Sequence, residues 1–319
     1  MRIVEPSVLL LRQPDNPVDA LRHVERCGRV CYKSEGKITD DSYKGFIERI
    51  VQHGHEAVLE HGYLMVCLDY SAEYSWFTDM QIRAELNGKT LYLRRTRDVP
   101  GAVVVSGNFR AWRDALRFCI AKNRPVPHDL VGILKWHSPV FTDLRRQIRS
   151  VRVGRVAQVY DWMLGTDHDI QTHVRRTLWF TCDRGVSHEL VRHRPASYCQ
   201  ESTRYCNYLK DDFSSQITVI KPCFFTEGTL QYDLWAEACE AAEKAYFDLL
   251  TQGDCTPQQA RAVLPNSLKT EVAMTATVDE WLHFLRLRCS SAAHPQMREV
   301  ATQARKVLVG SLPRMEEWL

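Results

Sequence analysis

Arg192-His193-Arg194 and the donors that follow it, Ser197, Gln200, Ser202, Thr203 and Arg204, concentrate hydroxyl, amide and guanidinium groups in one short stretch. Such a set can wrap a phosphate monoester, whose charge near neutral pH is about −1.5 to −2. Pro195 disfavours helical backbone at the residue before it, so the pattern predicts a helix over 187–194 that stops there. Consecutive residues on a helix point about 100° apart. Three adjacent basic side chains therefore cannot all grip one small group, but they can serve two adjoining ligands, such as a nucleotide and a cofactor. An isolated Arg-His-Arg reads by default as a solvated basic helix end favoured by the macrodipole. The donor-rich loop after it carries the functional reading, with Glu201 as an orienting partner for an arginine.

The elements that must hold this stretch read as an α/β fold, helices around a mixed sheet. Apolar residues at Tyr43, Phe46, Ile47, Ile50 and Val51 predict an amphipathic helix over Asp41–Gly54, with the glycine as its cap. Tyr63–Tyr70 and Arg176–Cys182 are rich in β-branched, aromatic and aliphatic residues and read as strands. Between them, Ser106-Gly107-Asn108 looks like a turn before a helix at Phe109–Ile120, followed by the proline-interrupted stretch Arg124–Pro139. With no repeat or linker, the expectation is one domain over 1–319 with an insertion at about 73–173. The C-terminal third reads as helices at Tyr232–Gln252, Pro257–Val263, Val278–Arg288 and Pro295–Leu308.

Bulk properties narrow the classes. A chain of 319 residues with 45% hydrophobic and 25% charged residues is ordinary for a soluble globular protein. The formal charge of +3 is small, and its basic residues are mainly arginine, which suits bidentate phosphate recognition. Eleven cysteines without paired C-x2-C spacing, an opening segment without a signal-peptide core, and no apolar run of about 20 residues point to a reduced, cytoplasmic protein with no membrane partner. His188, His193 and Cys199 are near enough in sequence to suggest metal ligands, but packing explains them more simply, so no metal is expected. Cys199 invites a nucleophile reading, for which packing is again the simpler account.

Arg192-His193-Arg194, seven residues, then Ser202 matches the RHR-x7-S signature of flavin-dependent thymidylate synthases, embedded in DRGVSHELVRHRPASYCQESTRYCNY. The resemblance extends in family order to HGHEAVLEH at His53–His61, ARAVLP at Ala260–Pro265 and EWLHFLRLRCSSAAHPQMRE at Glu280–Glu299. It implies C5-methylation of dUMP, with FAD as cofactor, methylenetetrahydrofolate as carbon donor, NADPH as reductant and a homotetramer with shared active sites. Carried over by motif, Glu189, Arg192, Gln200, Glu201, Ser202, Thr203, Arg204, Arg261 and Arg288 would hold the nucleotide. His55, Arg192, His193, Arg194, Gln200, Thr277 and His283 would border the flavin. Arg288 would act catalytically, stabilising charge that develops on the pyrimidine without proton transfer.

The sequence departs from the family pattern at several positions. Cys199 and Gln200 stand where compact members have Asn-Glu, Thr277 where asparagine is usual, and Ala57 where some have a hydroxyl residue. Relatives in nucleoside-antibiotic pathways methylate UMP, which the arginine bias and the resemblance to longer members keep as the alternative substrate. An arginine-rich RNA-binding protein, with Tyr198, Tyr205 and Tyr208 as stacking platforms, is the competing reading from another class, and its binding would weaken steeply with salt. A zinc hydrolase is a further alternative; otherwise the resemblance implies no nucleic-acid partner.

Overall fold

The structure is a computed structural model that describes residues 1–69, 94–96, 101–209 and 215–319. Tyr70 and much of the first third of the stretch expected as an insertion lie outside the described residues. Two nine-residue strands, Arg175–Asp183 and Lys269–Thr277, pair antiparallel along their whole length, with Trp179 opposite Ala273. Ser197–Gln200, the motif strand, adds to the outer side of Lys269–Thr277, and Ser7–Leu10 adds to the other side of Arg175–Asp183.

Both faces of this sheet are covered. Leu178, Phe180, Cys182, Val272, Met274 and Ala276 face a core built with the helices Val278–Arg288 and Pro295–Ser311. The alternate residue Ala273 packs with Cys27, Val30 and Cys199 on the side of the helix Pro17–Arg29. Burial on both faces removes the apolar-polar alternation of a half-exposed strand. That is why Lys269–Thr277 escaped the sequence reading, which took the C-terminal third as helical.

A second four-stranded antiparallel sheet joins Tyr63–Asp69, Arg94–Thr96, Ala102–Asn108 and Val156–Gln158. Its core packs against the helices Ser42–Gln52, Phe109–Ala121 and His128–Trp136. Ser106-Gly107-Asn108, expected as a turn, is the end of a strand. The Asn108 side chain accepts the Ala111 N–H at 2.8 Å and caps the helix that follows. Among the described residues, parallel pairing is confined to two short ribbons, Arg2–Val4 with Thr218–Ile220 and Val126–Pro127 with Ser150–Val151. No helix among the described residues is long and apolar enough to cross a membrane.

The strand register places Thr177 opposite Thr275, and their hydroxyls meet at 2.7 Å. His23 Nε2 reaches Thr177 at 2.9 Å and His61 Nδ1 reaches Thr275 at 2.7 Å, so a buried chain of four groups ties the first helix and the His61 turn to the sheet. Burial is the main cause that pushes His23 down to about 4 and His61 to about 3. Between pH 6.5 and those values the unfolded chain binds protons the folded chain refuses, so stability falls as pH falls, by about 1.4 kcal/mol per histidine for each pH unit. We expect melting temperature to drop steadily from pH 7 to pH 5 and the drop to shrink in His61→Asn; an unchanged pH slope in that variant would remove His61 from the account. Gly62 is packed so tightly that an added Cβ would meet the Phe109 ring and stand 2.7 Å from Val24. Gly62→Ala is expected to destabilise by about 1–3 kcal/mol in chemical denaturation.

Candidate active site

The helix that leads into the Arg-His-Arg turn begins three residues earlier and ends four residues earlier than the sequence pattern predicts, spanning Arg184–Leu190. Asp183 sets its start by accepting the Val186 N–H at 2.8 Å. Burial raises the pKa of this carboxyl, against the backbone hydrogen bonds it accepts. Past Leu190 the backbone tightens into i to i−3 bonds, Arg192 N–H to Glu189 and His193 N–H to Leu190. The Tyr198 hydroxyl sits 2.9 Å from the carbonyl oxygens of both Leu190 and His193 and pins this turn to the motif strand. Arg192, His193 and Arg194 thus project from a turn, and the 100° helical argument does not apply to them. They still diverge: Arg192 and Arg194 are exposed while His193 is buried. The Arg194 guanidinium lies 5.2 Å from the Tyr198 ring centroid.

His193 meets the end of the helix Val278–Arg288. Arg288 donates from Nε to His193 Nε2 at 2.9 Å and from Nη1 to Glu189 Oε2 at 2.7 Å. The imidazole also packs against Phe284, with centroids 4.9 Å apart, and lies 6.3 Å from His283. An acceptor role at Nε2 requires the neutral ring. Burial, then the charges of Arg288, His283 and Arg194, push His193 down to about 4 and keep it in that form. The structure therefore brings four sequence-predicted residues, Glu189, His193, His283 and Arg288, into one constellation. A histidine-selective NMR titration should show His193 with a midpoint near 4. Arg288→Met should move that midpoint upward without restoring an ordinary value, because burial is the larger cause; a midpoint unmoved by the substitution would disprove the coupling.

Other predicted residues occupy the adjoining loop. Gln200 donates from Nε2 to Ser187 at 3.0 Å and to Thr270 at 3.2 Å, which fixes its amide beside the helix start. Ser202 donates its N–H to the Cys31 carbonyl at 3.2 Å, and its hydroxyl accepts the Arg204 N–H at 3.3 Å. Arg261 reaches the Thr203 hydroxyl only at the long limit of 3.5 Å. Arg204 is exposed, over the Tyr205 ring. Among the described residues, none of Arg192, Arg194, Arg204 and Arg261 has a carboxylate partner.

One expectation changes. Glu201 does not orient an arginine: it is buried and paired with Lys269 at 2.8 Å, in a chain that continues through Glu271 to Lys33. Burial opposes the Lys269 charge, but Glu201 and Glu271 outweigh it and hold its pKa above the ordinary value. Thr277 is buried and donates its hydroxyl hydrogen to Asp279, a local contact at the start of the arginine-bearing helix. His55 is exposed beside His53, and among the described residues no hydrogen bond or ring contact joins it to the Arg192–Arg194 turn.

Sequence reasoning passed over Ser187, Tyr198 as a structural pin, Lys269 and Glu60. Glu60 accepts from the Ser197 hydroxyl at 3.1 Å and from Arg110 at 2.7 Å, which connects the HGHEAVLEH block to the motif strand. Its place within that block was the available signal.

A family model described as thymidylate synthase complementing protein matches residues 142–314. The flavin-dependent thymidylate synthase of Geobacter sulfurreducens is 33% identical over 130 residues, 41% of this chain and 54% of that protein. The protein of the same name from Thermococcus onnurineus is 31% identical over 185 residues, 57% of this chain and 70% of that one. The chain spans about half the length of the first curated relatives it matches. Among solved structures, a UMP/dUMP methylase from Streptomyces cacaoi bound with 5-Br dUMP aligns over 99% of this chain and 96% of that one, at 15% identity and a TM-score of 0.41.

Proposed function

The chain belongs to the thymidylate synthase complementing protein family, and from that premise we propose that it methylates C5 of dUMP, with FAD as cofactor, methylenetetrahydrofolate as carbon donor and NADPH as reductant. The observation that carries this reading is the fixed Arg288 guanidinium. Glu189 and neutral His193 hold two of its N–H groups, and Nη2 has no hydrogen bond among the described residues. A planar donor held this way can meet a pyrimidine edge and favour negative charge on the ring in a way a mobile charge cannot.

Arg204, Ser202, Thr203 and Arg261 form the phosphate side of the proposed site, and Gln200 sits between them and the Glu189 helix. Arg192, in the turn between the two groups, serves the nucleotide and the flavin alike. The donor set also fits FAD, because Arg192 and Arg194 present exposed guanidinium groups that meet no carboxylate among the described residues, and exposed His283 lies beside the buried His193 ring. His55 joins them only if a neighbouring subunit's site lies at its surface. Bound FAD, once reduced by NADPH, would supply the hydride delivered to C6 of the uracil. The chain's own task is to position the nucleotide and stabilise its charge, and Cys199, buried with its thiol pKa well above the ordinary value, is no nucleophile in this scheme. Assembly as a homotetramer is part of the proposal. It is supported by the 22-residue helix Leu230–Thr251, which leaves Leu230 and Leu234 exposed at 69% and 57%.

The test is an absorbance spectrum of protein supplied with FAD, followed by product analysis with dUMP and UMP in parallel. Flavin binding with dTMP formation is expected; methylation of UMP alone would transfer the proposal to that substrate, and neither product with flavin bound would overturn it. Arg204→Ala should raise the nucleotide KM more than it lowers kcat, since a phosphate contact exists in ground and transition states alike. Arg288→Ala should depress kcat by about 10²–10³, as loss of an oxyanion donor does. If Arg288→Ala shifts only KM, Arg288 is a binding residue and the charge-stabilising role lies elsewhere.

A further inference from the structure

Three cysteines from two distant parts of the sequence converge behind the donor loop. Cys199 lies in the motif strand, Cys27 in the last turn of the helix Pro17–Arg29, and Cys31 in the short 3-10 turn Val30–Tyr32 that follows it. Cys27 and Cys199 are buried in one cluster with Leu11, Val30 and Ala273, and half-buried Cys31 packs on that cluster at its outer side. Cys31 and Cys199 thus belong to one packed group, and each thiol shifts the pKa of the other. The same two segments are joined by the backbone, since the Cys31 carbonyl accepts the Ser202 N–H at 3.2 Å.

We propose that Cys31 and Cys199 form a peroxide-sensitive dithiol site, in which Cys31 is the attacking thiol and Cys199 the resolving one. Thiols packed in one cluster, on segments held together by the Ser202–Cys31 backbone bond, are placed to approach the S–S bond length of about 2.05 Å. Their environments assign the roles. The neighbouring Cys199 thiol is the main cause that lowers the Cys31 pKa, against burial, and Cys31, with burial, raises Cys199. Cys31 is also the more accessible of the two, as a thiol that meets an oxidant first must be.

The chemistry balances with hydrogen peroxide as the two-electron oxidant. The Cys31 thiolate attacks one peroxide oxygen, an S–O bond forms, the O–O bond breaks, and the hydroxide released takes up a proton to leave as water. Cys199 sulfur then attacks the Cys31 sulfenic acid, the S–S bond forms and the S–O bond breaks. The second water carries away the sulfenic oxygen with the Cys199 proton. Both thiols are oxidised by one electron each, and peroxide is reduced to two waters. The disulfide would fasten the motif strand to the 3-10 turn that already holds the Ser202 amide, stiffening the donor loop from behind. This inference concerns thiol chemistry and stands whether or not the proposed methylation is correct.

Trypsin separates the three thiols, which fall in the peptides Cys27–Arg29, Val30–Lys33 and His193–Arg204, the last intact because Pro195 follows Arg194. The experiment treats full-length protein with graded hydrogen peroxide, quenches with an alkylating agent, and maps the digest by mass spectrometry without reductant. The expected result is a reducible cross-link between Val30–Lys33 and His193–Arg204 at lower peroxide than modifies exposed Cys223. Cys199→Ser should abolish the cross-link and leave Cys31 trapped by a sulfenic-acid reagent. Cys31→Ser should leave Cys199 reduced at the same dose. In the oxidised wild type, hydrogen exchange at the Ser202 amide should slow. A cross-link of Cys31 to Cys27 instead, or oxidation of Cys223 before either cysteine of the pair, would overturn the assignment. Circular dichroism of both serine variants verifies the fold, and if one fails to fold, the wild-type cross-link map alone decides.

Discussion

The nine-residue pairing of Arg175–Asp183 with Lys269–Thr277 fixes the position of nearly every side chain discussed above. Side chains alternate across a strand, so a slip of one residue would exchange the two faces of the sheet. Thr275 would lose Thr177, and with it His23 and His61. Thr270 would turn away from Gln200, whose own pairing opposite Val272 depends on the same strand. The strand also ends where the helix Val278–Arg288 begins, so its register decides where Arg288 arrives. Burial on both faces resists such slippage, because either shift would carry threonines into the apolar cores and apolar residues toward the hydroxyl-histidine chain.

From that frame, two opposite electrostatic environments are built within one motif. His193 is buried next to a guanidinium and stays neutral, which lets it accept from Arg288. Glu201, equally buried, stays paired because Lys269 and Lys33 bring two positive charges to it and Glu271. Had Glu201 taken an arginine from the donor loop, that arginine would have been withdrawn from ligand binding. The lysine chain satisfies the buried carboxylate from the sheet instead, and Arg192, Arg194, Arg204 and Arg261 retain their charge toward solvent.

Much of this was legible from residue types. The Val278–Arg288 helix appears with the bounds its apolar period predicts, and Phe109–Ala121 and Pro295–Ser311 differ from expectation only at their ends. The association of Arg288 with the Arg-His-Arg turn came through resemblance alone, since the two lie almost a hundred residues apart and neither pattern points to the other. What the sequence concealed follows from context. Lys269–Thr277 is covered on both sides and so lacks strand alternation. The helix before the motif ends at Leu190 because Tyr198, a residue of the next strand, takes up the carbonyls at its end, and no local rule for proline contains that partner.

The same reasoning explains why a motif that looks like a surface feature is rigid. A donor loop that remained mobile would have to lose side-chain freedom on binding, about 0.5–1.5 kcal/mol for each long side chain immobilised. Here Gln200 is fixed by Ser187 and Thr270, the Ser202 amide by Cys31, and the backbone at His193 by Tyr198. Arg288 differs from the exposed arginines in being held at both Nε and Nη1 before any ligand arrives. Its ordering cost is met during folding, by burial of Phe284 and Trp281 on the same helix. A donor whose direction is set this way favours charge appearing at one place, whereas the freer Arg204 can follow a ligand group as it moves. The proposed division between holding and activating therefore rests on how many contacts each guanidinium makes with the protein itself.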